Sequence, residues 1–111
     1  MTENQFRRMA LSLPGTTERA HMSHPDFRVG GKIFATLGYP DGAWGMVKLT
    51  PAQQRQFVRA EPNIFVPVKG GWGRRGCTNV CLQRATKSKL FGAIVAAWRN
   101  IAPQEIVDSF E

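Results

Sequence analysis

The chain has 111 residues, 42% hydrophobic and 21% charged, the length and make-up of one globular domain spanning residues 1–111 rather than of a disordered or multi-domain chain. Its most apolar run, LFGAIVAAW, is far short of a bilayer span, and MTENQFRR at the start has no apolar secretory core, so a cytoplasmic protein with no membrane partner is expected. Lysine and arginine outnumber aspartate and glutamate by 15 to 8, an excess that suits a polyanionic partner such as nucleic acid.

In chain order, Phe6, Met9, Ala10 and Leu13 recur at helical spacing, and Pro14-Gly15 ends that helix. After a polar connection, DFRVGGKIFATLG reads as two β segments, Phe27 to Val29 and Lys32 to Leu37, joined by a tight turn at Gly30-Gly31. Pro40-Asp41-Gly42 makes a further turn into a third strand, Trp44 to Leu49. On that strand Trp44 and Met46 share the face opposite Val47 and Leu49. TPAQQRQFVRAEP then carries three helix-start signals: Thr50 as N-cap, Pro51 at the first helical position, and Gln53 completing a capping box.

NIFVPV is extended, with Pro67 placing it at an edge or a strand end. The loop KGGWGRRG leads into a strand, CTNVCLQRA, on which Cys77, Asn79, Cys81 and Gln83 share the face that meets solvent or a partner. Thr86 caps a last long helix whose apolar stripe is Leu90, Phe91, Ile94, Val95, Trp98 and Ile101; Lys89, Gly92, Ala93, Ala96 and Arg99 form its other face. QEIVDSFE adds a short final turn. The result is an α+β domain in the order α-β3-α-β2-α, with helices packed on an antiparallel sheet.

Residues 62–104 carry seven cations and no acid. Within them Lys69, Arg74, Arg75, Arg84 and Lys87 are candidate phosphate ligands, and Trp72 either stacks on a base or folds back onto the core. The glycines of this loop do not make a phosphate-cradling motif, because the GxxxxGK[ST] pattern is missing and a strand follows where such a loop needs a helix. Cys77 and Cys81, four apart on a strand, have Cα atoms about 13 Å apart, too far for a disulfide. With only two histidines they also make a poor zinc set. His21 and His24 have no third ligand at a matching spacing, and Ser23 beside His24 lacks an evident orienting acid. No metal, cofactor or catalytic constellation is expected, and the chain reads as non-enzymatic.

HPDFRVGGKIFATLG, WGMVKLTPAQQRQFV, FVPVKGGWGRRGCTNVCL and AAWRNIAPQ, running from about Leu13 to Pro103, resemble successive blocks of the MmcQ/YjbR family of small bacterial proteins. The resemblance implies a two-layer α/β fold with an antiparallel sheet, related in shape to type III secretion chaperones. It also implies DNA binding by a "double wing", in which β-hairpins flank a helix, and no established catalytic residues. The wings would be the Gly30-Gly31 hairpin, with Arg28 and Lys32, and the strands around Trp72 to Leu82. Trp72, Gly73, Trp98 and Arg99 match the family pattern, whereas Cys77 and Cys81 depart from it. DNA held mainly through phosphates is therefore the expected partner. The alternative is a protein-interaction or homodimerisation module using an exposed Trp44 and Met46.

Overall fold

The computed structural model describes residues 1–110. Helix α1 (Glu3–Leu11) starts in a capping box in which Thr2 and Gln5 each accept the other's backbone N–H through a side-chain oxygen. Four strands follow, β1 (Thr16–His21), β2 (His24–Val29), β3 (Lys32–Leu37) and β4 (Trp44–Lys48), each antiparallel to the next. Helix α2 (Pro51–Ala60) has the expected Thr50–Gln53 capping box. Then come β5 (Phe65–Pro67), α3 (Gly71–Arg74), β6 (Cys77–Cys81), α4 (Lys87–Ile101) and α5 (Gln104–Ser109). The strands form one antiparallel sheet in the order β1-β2-β3-β4-β6-β5, so the α+β class holds.

Strand β1 extends that reading, since its residues look like a polar connection in the sequence. It lies at the sheet edge with five of its six residues exposed, so no apolar alternation is needed there. The β1–β2 turn is made by Met22 and Ser23 at φ of 49° and 67°, the left-handed geometry of a tight hairpin turn without the glycine that usually signals it. Gly30 and Gly31, at 60° and 79°, make the expected turn between β2 and β3.

Two further corrections concern helices. The glycine-rich segment is not an open loop before a strand: residues 71–74 close one helical turn, with the Arg74 and Arg75 amides donating to the carbonyls of Gly70 and Gly71. Gly73 is required there, because a Cβ at that position would sit 1.6 Å from the Val68 carbonyl oxygen. In α4 the fully buried stripe is Leu90, Ala93, Ile94, Ala97 and Trp98, so Ala93 belongs to the core and not to the outer face. Small residues at 93 and 97 let the helix axis approach β3 and β4, while Phe91 and Val95 pack along its flank.

All of the core lies on one side of the sheet. Phe27 and Val29 from β2, Ala35 and Leu37 from β3, Val47 from β4 and Val80 from β6 meet α1 and α4 there. Gly45 leaves room for the Phe6 ring, which stands 2.8 Å from where a Cβ would be. The Trp98 indole is wholly buried and donates to the Pro14 carbonyl, tying α4 to the end of α1. Phe57 of α2 packs edge-on against Phe65, and α5 closes the β1–β2 corner through Ile106 against Gly15 and Val29. The alternate strand residues Ile33, Trp44 and Met46 take no part in this cluster although each is half-buried. They belong to the opposite face, which no helix covers among the described residues.

Candidate functional site

Register fixes the layout of the uncovered face. One row across the sheet runs Arg19, Asp26, Thr36, Met46, Asn79, Val66. Toward one end lies the row His21, His24, Gly38, Trp44, Cys81, in which Gly38 donates its N–H to the Trp44 carbonyl. Toward the other end Arg28 pairs with Ile33, and Lys48 with Cys77. The face is thus divided. Its β1–β2 half is charged and polar; its β3–β4–β6–β5 half is largely apolar.

The charged half is built around Asp26, which is 0% exposed on a face otherwise open. Arg28 donates to it twice, Nε to Oδ1 at 2.8 Å and an outer guanidinium nitrogen to Oδ2 at 3.1 Å. His21 Nδ1 lies 2.8 Å from Oδ2. A buried carboxylate is tolerable only when paired in this way. Bonding to the Arg28 guanidinium, aided by His21, holds the Asp26 carboxyl below its ordinary range against the opposing effect of burial. The pairing also restricts an exposed His21 and a half-buried Arg28: Arg28 keeps unused N–H groups and His21 its second ring nitrogen. The sequence showed no acid to orient His24 beside Ser23, and the structure pairs Asp26 with His21 instead. The hairpin does this by bringing residues 21, 26 and 28 together on one face of neighbouring antiparallel strands.

The eight residues expected to meet nucleic acid do not form one patch. Lys69, Trp72, Arg74 and Arg75 gather at and around α3, all exposed. Lys32 beside the Gly30-Gly31 turn lies at the same end of the sheet, because the β3–β4 and β4–β6 registers put the starts of β3 and β6 beside the end of β4. Arg84 and Lys87 follow the other end of β6 and stand at the opposite pole. There Arg84 lines a groove with Glu61 and Lys89, which pair with each other, and Lys87 lines one with Arg8 and Phe91. Arg28 is on the open face, bound to Asp26. Trp72 does not fold into the core: it is 60% exposed with the Arg75 guanidinium 5.7 Å over its ring.

Cys77 and Cys81 are both free thiols and both lie on the uncovered face, yet Cys77 is buried at the base of β6. Burial pushes its thiol up, partly offset by Lys48 and Arg75 nearby. No cluster of three or more metal-binding side chains occurs among the described residues. No described helix is long and apolar enough to cross a membrane.

A family model named YjbR matches residues 11–100. The chain belongs to the YjbR family. Among solved structures, the YjbR chain is similar to the crystal structure of Deinococcus radiodurans protein DR2400, described as a DUF419 domain. The TM-score is 0.73 at 16% identity, over 87% of this chain and 75% of that one, a likeness of fold. No curated protein matches. The blocks that carried the resemblance in the sequence fall within the family match except for the end of the last, AAWRNIAPQ, which runs past residue 100, and the likeness to the neighbour is one of fold.

Proposed function

We propose that this YjbR-family chain is a non-enzymatic DNA-binding protein that grips phosphates at the α3 pole of its sheet. The observation that supports this most directly is the display of Lys69, Arg74 and Arg75 on a one-turn helix, exposed beside an exposed Trp72, at the same end as Lys32 on the β2–β3 hairpin. Guanidinium forks suit phosphate oxygens, and a rigid turn holds them at lower entropic cost than a mobile loop. The hairpin is the weaker arm, since Pro103 packs against Gly30 and Glu105 follows close behind. Arg84 and Lys87 at the other pole then contact a long duplex only by its wrapping, or serve another site.

With four cations engaged, the logarithm of affinity falls against the logarithm of salt concentration with a slope of about −3.6. Fluorescence anisotropy of a labelled duplex across a salt series measures it. Arg74→Ala with Arg75→Ala weakens binding to unrelated duplexes equally and makes the slope about two units shallower. An unchanged affinity in that double variant removes the α3 pole from the reading.

The second reading, a protein-interaction or dimerisation module, is favoured by one observation: Ile33, Trp44 and Met46 lie half-buried on a sheet face without a helix layer. Analytical ultracentrifugation distinguishes it, a dimer at micromolar concentration supporting it and a monomer opposing it.

A further inference from the structure

We infer that the uncovered sheet face is a binding platform for single-stranded nucleic acid, with Arg28 and His21 as its phosphate contacts and Trp44 as its base-stacking surface. The inference shares with the proposed function the premise of a nucleic-acid partner, but places a different form of it at a different site.

Charge argues first. Among the outward-facing strand positions Asp26 is the one acid, and it is paired with Arg28 and His21, so Arg19 and Lys48 leave the face with a net positive charge. A second copy of this chain placed face to face meets like charges, whereas a polyanion meets complementary ones. Division of the face argues next. A single strand carries phosphates along one side and unpaired bases along the other. Here the cationic half on β1–β2 lies beside an apolar half containing Ile33, Met46 and Trp44. An acidic peptide matches the charge but has no planar group for every repeat.

An aromatic row crosses the sheet at one end of this face. Between His24 and Trp44 stands Gly38, whose missing side chain makes room for the His24 ring: a Cβ there would lie 3.2 Å from His24 Nδ1. Trp44 and His24 are two strand spacings apart, roughly 10 Å between backbones, and Tyr39, 62% exposed, stands edge-on to His24. Sheet aromatics beside cations are the general means of holding unpaired bases. Asp26 is a positioning residue: buried and bonded on both oxygens, it holds the Arg28 fork so that its free N–H groups are presented beside the oriented His21 ring.

The test uses the full chain with Trp72→Phe, so that Trp44 and the wholly buried Trp98 are the remaining tryptophans and quenching reports on Trp44. Titration with a 15-nucleotide oligo(dT) is expected to quench Trp44, and Trp44→Leu to weaken oligo(dT) binding about 5- to 100-fold while duplex binding changes little. Asp26→Asn removes a negative charge yet is expected to weaken oligo(dT) binding; a gain, as simple charge repulsion requires, overturns the positioning role. Should Asp26→Asn not fold, Arg28→Lys serves, since it keeps the charge and loses the fork, and undiminished binding there overturns it equally. Oligo(dT) binding abolished by Arg74→Ala with Arg75→Ala and untouched by Trp44→Leu overturns the platform and leaves the proposed function standing. Equal binding of polyglutamate, or a dimer that shields Trp44 from acrylamide, also overturns it.

Discussion

Asp26 shows how much one residue can differ from its appearance in sequence. Standing between a proline and a phenylalanine, it carries no motif that marks it out, yet it is the most buried charge on the molecule's open side. Its depressed pKa means the folded chain binds fewer protons at this site than the unfolded chain does. Its stabilisation is therefore in full force above the ordinary aspartate value near 3.8 and is lost as pH falls below that value through the folded one. Asp26→Asn is expected to lower the midpoint of urea unfolding near neutral pH, with the difference from the parent shrinking as the pH is taken below 3.8. The two cysteines divide in the same way. Cys77 is buried and its thiol is pushed up, while Cys81 is partly open at the other end of β6. Ellman's reagent is expected to titrate one thiol rapidly in the native protein and the second only after denaturant. Two fast thiols would mean that the base of β6 is loosely packed.

At the scale of elements, legibility followed local chemistry. The capping box at Thr50 and Gln53, the Gly30-Gly31 turn and the apolar periodicity of α1 each have short-range causes, and each formed as read. Where long-range contact decides, the sequence was silent or misleading. Strand β1 exists because β2 offers it an edge, not because its own residues alternate. Helix α3 exists because Gly73 lets the turn close against the Val68 carbonyl and because Gln54 of α2 donates to the Gly73 and Cys77 carbonyls from below. Gly73→Ala forces these backbones apart. The expected result is faster amide exchange at Arg74, Arg75 and Gly76 and weaker duplex binding, with α1 and α4 still protected. Unchanged exchange would mean the turn is held by something other than that close approach.

For the whole molecule, the decisive feature is that α1 and α4 pack on one side of a six-stranded sheet, leaving two poles and, among the described residues, one face without a helix layer. The cations of residues 62–104, continuous in sequence, are parted by the length of β6 into an α3 group and an Arg84–Lys87 group. Arg84→Ala with Lys87→Ala is accordingly expected to change the affinity for a short duplex far less than Arg74→Ala with Arg75→Ala does, as anisotropy with a duplex of about one helical turn would show. Equal losses would mean a footprint spanning both poles. The sequence by itself determined the class of fold, the family, the helix caps and the excess of positive charge, because these rest on composition and on neighbours within a few residues. Only the tertiary structure decided which cations stand together, that Trp72 is exposed, and that Asp26 locks Arg28 and His21 on an uncovered face. Those relations depend on strand register and on which side the helices pack, and both are set by contacts between residues far apart in the chain.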